Sequence, residues 1–275
     1  MYVLKDIIQK YELNAKKSLG QNFILDTNLL SKIARMALSG VDYDALLEVG
    51  PGPGGLTEAI LEQTDIALNV IEKDDRCAKA LQELSAEYSG RLNIYNEDAL
   101  LFNESKLGKK VCVIANLPYN ISTLLLVKWL KNISEFSALT LMFQKEVAER
   151  LIAKENDDAY GRLSVLTQWL CDVEILMILP PAVFTPAPKI HSALVRMMPK
   201  ENPQAGFDFK TMEKLTAAAF GQRRKMLRSS LKTLGLMQEQ IEQMCDAADV
   251  PTSFRGEQVS VDKFCQMARW LYQNG

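Results

Sequence analysis

At 275 residues the chain has room for one full α/β domain and a smaller companion, and 48% hydrophobic with 24% charged residues excludes dominant disorder. A net charge of −2 gives no global sign of a polyanionic partner, so any nucleic-acid site has to be a local patch. Five widely spaced cysteines (Cys77, Cys112, Cys171, Cys245 and Cys265), with no Cys-x-x-Cys pair, suggest neither a disulfide framework nor a zinc knuckle; thiols in a reducing compartment and no metal are expected.

The start, "MYVLKDIIQKYELNAKKS", scatters charges among its apolar residues and has no continuous apolar core, so it reads as a basic leader and not a signal peptide. "NLLSKIARMALSG" then places Leu29, Leu30, Ile33, Met36 and Ala37 at helical spacing, with Gly40 as a stop. Beyond it strands and helices alternate: "ALLEVG" strand, "GGLTEAILEQT" helix, "IALNVIE" strand, "RCAKALQELSAEY" helix, "LNIYN" and "KVCVIAN" strands, "STLLLVKWLKNI" helix, "ALTLMFQ" strand. Such alternation predicts a Rossmann-like α/β sheet, parallel, with helices on both faces and ligands at the carboxyl ends of its strands. "KEVAERLIA" reads as a helix and is followed by a polar loop around Asn156, Asp157, Asp158 and Gly161. "LSVLTQWLCDVEILMILP" and "HSALVRMMP" are expected to finish the sheet, hairpin-like, around "PAVFTPAPK". The most apolar late stretch, "EILMILPPAVF", is cut by two prolines after about six residues, far short of the ~20 a membrane span needs. No membrane partner and a cytoplasmic location are therefore expected. "PKENPQAG" has turn residues and no apolar periodicity, which predicts a boundary there. Residues 1–200 are expected to form the catalytic domain and 201–275 a small all-helical domain, running from "FKTMEKLTAAAF" to "VDKFCQMARWLYQ".

"LLEVGPGPGGLT" carries Gly50, Gly52 and Gly55 in the spacing G-x-G-x-x-G, after a strand and before a helix. Glycines let the backbone approach a ligand closely, and a helix start supplies unpaired N–H groups. A dinucleotide fits this loop, and so does S-adenosylmethionine. Glu72 ends the next strand, 22 positions after Gly50 and near the ~20 expected for a carboxylate on ribose hydroxyls. Asp98 in "NEDAL" follows the third strand, where it could accept from an adenine amine. The bland alternative makes both acids solvated strand-terminal residues. Pro51 and Pro53 stiffen the loop and remove N–H donors a pyrophosphate would use, which disfavours NAD, as does the lack of a convincing proton-relay residue.

At the fourth strand end stands "NLPYN". The exocyclic amine of adenine is a poor nucleophile because its lone pair is delocalised into the ring. The side-chain carbonyl of Asn116 and the backbone carbonyl of Leu117, accepting its two N–H bonds, would favour a tetrahedral nitrogen and stabilise its developing positive charge. Pro118 fixes the local backbone, and Tyr119 offers a face on which a base can stack. No strong general base is required, since the amine proton becomes acidic on methylation. The alternative is an ordinary Pro-containing turn with Tyr119 capping the core.

"KKSLGQNFILD", "LEVGPGPGGLT", "VIE", "EDAL", "NLPYNIST", "LMFQKEVAERL", "AYGRLSV" and "PPAVFTPAPKIHSALV" occur in this order over about residues 16–197. Together they resemble the small-subunit ribosomal RNA adenine dimethyltransferase family, which is similar to the erythromycin-resistance methyltransferases of the large subunit. The resemblance implies S-adenosylmethionine as methyl donor and, as substrate, two adjacent adenosines near the 3′ end of small-subunit ribosomal RNA within an immature subunit, acted on by a monomer. It implies donor contacts from Asn22, Ile24, Gly50, Gly52, Glu72, Asp98 and Asn116, with Ile24 standing where the family usually has Leu. It also implies that Phe184, in "VFTPAPK", sandwiches the target base with Tyr119; the alternative for Phe184 is a core plug under a Pro-rich loop. His191, the only histidine, stands where relatives often carry an acid and reads as a bystander.

"GQRRKMLRSSLK" holds Arg223, Arg224, Lys225, Arg228 and Lys232 with no acid. On a continuous helix Arg224, Arg228 and Lys232 would share a face, giving a phosphate-binding stripe or, alternatively, a solvated surface. Lys16 and Lys17 in the leader would add a second basic cluster. Two further functional readings stay open: a large-subunit methyltransferase of the macrolide-resistance type, and a mainly non-catalytic role in ribosome assembly.

Overall fold

The structure is a computed structural model that describes residues 3–13, 22–222 and 224–275. It divides into two compact units, Met1–Lys145 with Glu174–Pro199, and Glu146–Val173 with Lys200–Gly275.

The first unit opens with a short helix α1 (Leu4–Lys10), whose Leu4 and Ile7 are buried, and a two-residue strand β1 (Phe23–Ile24). α2 (Thr27–Leu38) starts where the Asp26 carboxylate accepts from the backbone N–H groups of Asn28 and Leu29, satisfying two donors that a helix start leaves unpaired. Then follow β2 (Ala45–Val49), α3 (Gly55–Leu61), β3 (Leu68–Ile71), α4 (Asp75–Glu87), β4 (Leu92–Tyr95), β5 (Val111–Ala115), α5 (Tyr119–Leu130) and β6 (Phe136–Gln144). After α6 (Lys145–Ile152) and α7 (Arg162–Leu170) come β7 (Cys171–Leu179), β8 (Phe184–Thr185) and β9 (Ser192–Pro199). The main sheet has seven strands in the order β4-β3-β2-β5-β6-β9-β7. β3, β2, β5 and β6 pair in parallel, β4 joins β3 in parallel, and β9 runs antiparallel to β6. Every residue of β2, β3 and β5 is buried, as expected of parallel strands covered on both faces.

Register sets the site. Glu48 lies opposite both Val70 and Ile114, and Ile71 opposite Tyr95, so these strands end nearly flush. The sheet extends from β2 through β3 to β4 on one side and from β2 through β5 to β6 on the other. Strand order therefore reverses between β2 and β5, the place where an open α/β sheet leaves a crevice.

The second unit contains most of α6 and all of α7, with α8 (Phe209–Gly221), α9 (Leu227–Ser230), α10 (Gln238–Ala247) and α11 (Val261–Asn274). Trp169 of α7 packs against Phe207 and Phe209, at ring-centroid distances of 4.9 and 6.0 Å. Tyr160 packs on Phe220 and donates its hydroxyl to the Val259 carbonyl at 2.9 Å.

Two expectations change. "LSVLTQWL" does not finish the sheet: it is helix α7, and only Cys171–Leu179 is strand. A short apolar run does not by itself distinguish a buried helix from a buried strand. Glu146–Val173, expected with residues 1–200, groups with the C-terminal helices because the aromatic side chains of this segment pack there.

Candidate functional site

A cavity of about 610 Å³ is lined by the residues that follow β2, β3, β4 and β5, together with Asn22–Ile24. Gly50 and Gly52 take φ values of +69° and +56°, a region that favours glycine. A Cβ on Gly52 would stand 2.8 Å from Cε1 of Phe23, so the loop also lacks room for any side chain there.

Glu72 is 6% exposed and lies beneath this loop. One carboxylate oxygen accepts from the backbone N–H of Gly52 at 3.0 Å and the other from that of Asp74 at 2.8 Å. Burial pushes its pKa up, opposed by these N–H donors. Each oxygen keeps a further lone pair, so the carboxylate is aimed by the backbone and can still accept from two hydroxyls. Asp98, at the next strand end, accepts from the backbone N–H of Leu100 at 2.9 Å and from Lys73 Nζ at 2.7 Å. The Lys73 ammonium, and then the Leu100 N–H, hold its carboxyl below the usual carboxylate range.

At the fourth strand end the amide nitrogen of Asn116 donates to the Asn22 carbonyl at 3.0 Å, which leaves the Asn116 carbonyl oxygen as the available acceptor. Leu117 is buried, and Pro118, with φ of −55°, caps α5 at its amino end. Tyr119 opens α5, half-buried, with its hydroxyl 2.6 Å from Oγ of the fully buried Ser192. Burial raises the Tyr119 pKa, so the ring is a neutral platform held by its hydroxyl. Asn22, Ile24, Gly50, Gly52, Glu72, Asp98, Asn116, Leu117, Pro118 and Tyr119 thus all line one cavity.

Phe184 does not join them. It sits in β8, paired with Ile24 of β1, is 3% exposed, and belongs to the apolar cluster that also holds Ile24 and Leu179. The expected sandwich with Tyr119 is not assembled here, because the apolar ring is buried in the core beneath the Pro-rich segment. The core-plug alternative describes its position. Lys16, Lys17 and Arg223 lie outside the described residues. Arg224, Lys225, Arg228 and Lys232 are all exposed, but the continuous helical face does not form. Gln222 caps α8, and Arg224 and Lys225 lie in a turn before the four-residue α9. The buried Leu227 and Leu231 fix the direction of this segment and leave Arg228 and Lys232 toward solvent.

Glu48, which no sequence motif singles out, also belongs to the site. It lines the cavity, is 1% exposed, and accepts from Thr57 Oγ1 at 2.7 Å. The available signal was one charged residue inside the apolar run "ALLEV". Burial first, with Glu72 adding to it, pushes its pKa up to about 8, so it is mostly protonated at neutral pH. A folded-state pKa above the unfolded value makes a contribution to stability that is complete below the unfolded pKa and is lost as pH rises toward 8. Glu48→Gln should therefore gain on the wild type as pH rises from 5 to 8, by about 1 kcal/mol per pH unit. Urea melts of both proteins across that range check this; a constant gap would mean that Glu48 ionises like an exposed carboxyl.

The family model described as "Ribosomal RNA adenine dimethylase" matches residues 12–273. A protein named "Ribosomal RNA small subunit methyltransferase A" from Ruegeria sp. (strain TM1040) is 48% identical over 274 residues, covering 98% of this chain and 96% of the relative. One of the same name from Rhodospirillum rubrum is 47% identical over 267 residues, covering 97% and 91%. Among solved structures, a dimethyladenosine transferase from Plasmodium falciparum has a TM-score of 0.72 at 25% identity over 89% of this chain and 95% of that one. The 23S rRNA methyltransferase ErmE has a TM-score of 0.67 at 24% identity, covering 91% and 99%, a likeness of fold. The chain belongs to the ribosomal RNA adenine dimethylase family and is an S-adenosylmethionine-dependent methyltransferase.

Proposed function

We propose that this protein dimethylates the exocyclic amine of two adjacent adenosines near the 3′ end of small-subunit ribosomal RNA, within an immature subunit. The observation that carries the reading is Asn116, which lines the cavity beside Leu117 and Tyr119 with its amide nitrogen committed to the Asn22 carbonyl, so that its own carbonyl is left as the acceptor. The residues present fit S-adenosylmethionine: a glycine cradle that a Cβ would fill, a buried carboxylate at the second strand end and an aspartate at the third. Glu72 would hold its ribose and Asp98 its adenine amine, with Asn22, Ile24, Gly50 and Gly52 around the rest. When bound, the donor supplies a methyl group on a positively charged sulfur. Asn116 and Leu117 accept from the target amine as its nitrogen becomes tetrahedral and positive. Tyr119 stacks on the base, at ~1–3 kcal/mol per stacked base, which offsets part of what taking it out of a helix costs.

The relatives favour the small-subunit substrate over the large-subunit one, since those at 48% and 47% identity carry that name and the likeness to ErmE is one of fold. The unit Met1–Lys145 with Glu174–Pro199 is assigned the chemistry and the helices after Lys200, with Arg224, Lys225, Arg228 and Lys232, the ribosome contact of a cytoplasmic monomer. Among the described residues no helix is long and apolar enough to cross a membrane.

Incubation with labelled S-adenosylmethionine and immature small subunits, followed by nucleoside analysis, tests the reading. Dimethyladenosine at two adjacent 3′-proximal positions supports it; label found in free large-subunit RNA instead overturns it. Reversing charge at Arg224 and Arg228 together should lower affinity for the subunit about tenfold at moderate salt and leave donor affinity unchanged. Filter binding and calorimetry check the pair, and equal loss of both would indicate misfolding.

A further inference from the structure

The turn that carries Asp98 is held from outside by one lysine. Leu101 and Phe102 donate their N–H groups to the Asp98 carbonyl at 2.9 and 3.0 Å, closing a turn whose Ala99 and Leu100 line the cavity. Lys128, in the last turn of α5, donates to the carbonyls of Ala99, at 2.7 Å, and Phe102, and to Glu104 Oε1 at 2.8 Å. Trp129 Nε1 donates to the same Glu104 oxygen at 2.6 Å, and Glu104 is only 6% exposed. An ammonium has three protons and here meets three acceptors arranged around it, so it is saturated. α5 therefore starts at the Asn116–Tyr119 motif and, from its last turn, grips the turn that bears Asp98.

The geometry points to Lys128 as a positioning residue for the adenine of the methyl donor, with Glu104 and Trp129 fixing it in place. It touches neither reactant and acts through the Asp98–Leu100 backbone. The inference rests on the reading of Asp98 as the acceptor for the adenine amine. Without the ammonium, the Ala99 and Phe102 carbonyls lose this donor, the buried Glu104 carboxylate keeps only the Trp129 N–H and has no cationic partner, and the turn relaxes. Affinity for any adenosyl ligand then falls, and with it the ability to tell an exocyclic amine from an oxygen at the same ring position.

Calorimetric titration of the full-length protein with S-adenosylhomocysteine and with S-inosylhomocysteine tests this. Wild type is expected to prefer the adenosyl compound about tenfold, the scale of one hydrogen bond to a charged group. Asp98→Ala should abolish the preference, and Lys128→Met should bring it close to one while the melting transition stays cooperative. Lys128→Arg keeps the charge but cannot aim at three acceptors around one point, so it should lower the preference less and carries the test if Lys128→Met does not fold. A preference left intact in either folded Lys128 variant overturns the positioning role alone. No preference in wild type, or one that survives Asp98→Ala, overturns the Asp98 reading and this inference with it.

Discussion

Asn116→Ala is expected to slow methyl transfer to RNA by about 10²–10³-fold, the cost typical of removing one preorganised group that meets charge developing in the transition state. The lost atom is an acceptor, and the charge it meets is the positive nitrogen of the alkylated amine. Because the ground-state amine is nearly planar and uncharged, the loss should fall on the rate and not on RNA affinity. The variant also loses the 3.0 Å bond from Asn116 to the Asn22 carbonyl, which holds one wall of the same cavity, so donor affinity should weaken by less than tenfold. Single-turnover rates with saturating donor, set beside calorimetric donor affinities, separate the two effects. A rate within a few-fold of wild type would remove Asn116 from the chemistry. Equal losses in rate and donor affinity would mean that it works by holding Asn22. Asn116→Ala that still binds immature subunits would leave room for an assembly role beside the catalytic one.

The parts legible in the sequence were those where one physical demand fixes both residue type and place. β2, β3 and β5 are buried on both faces and so read as unbroken apolar runs. Gly52 needs positive φ and has no space for a side chain against Phe23, and Glu72 and Asp98 are polar residues where strands stop. The illegible parts depend on distant contacts. α1 has only seven residues and is stabilised by burying Leu4 and Ile7, which local propensity does not announce. Phe184 reads equally well as a stacking ring or a core residue until its pairing with Ile24 is known. The basic run around Arg224 and Arg228 has the spacing of one helix face, but α8 ends at Gly221 and a turn through Arg224 and Lys225 separates it from the short helical stretch that bears Arg228 and Lys232. Lys128 reads as an ordinary exposed position of α5 until the carbonyls of Ala99 and Phe102 are placed against it.

Glu72→Ala is expected to raise the dissociation constant for S-adenosylhomocysteine by roughly 10²–10⁴-fold while the melting temperature moves little. Two hydrogen bonds from ribose hydroxyls to a charged acceptor would be lost, each worth ~1.5–3 kcal/mol. The protein itself experiences opposed effects. The Gly52 and Asp74 N–H groups lose their acceptor, which destabilises, but a carboxylate whose burial raises its pKa is also removed, which stabilises. Glu72→Gln sharpens the test. Its amide can present a carbonyl oxygen to only one of those two N–H groups and must turn its NH₂ toward the other, so the side chain is forced off the geometry that the backbone imposes on the carboxylate. It should bind the donor almost as weakly as Glu72→Ala despite its matching size. Near wild-type binding by Glu72→Gln would show that shape suffices there and that charge and paired acceptors do not matter. Weak binding by both variants, with melting preserved, would locate the donor's ribose at the end of β3.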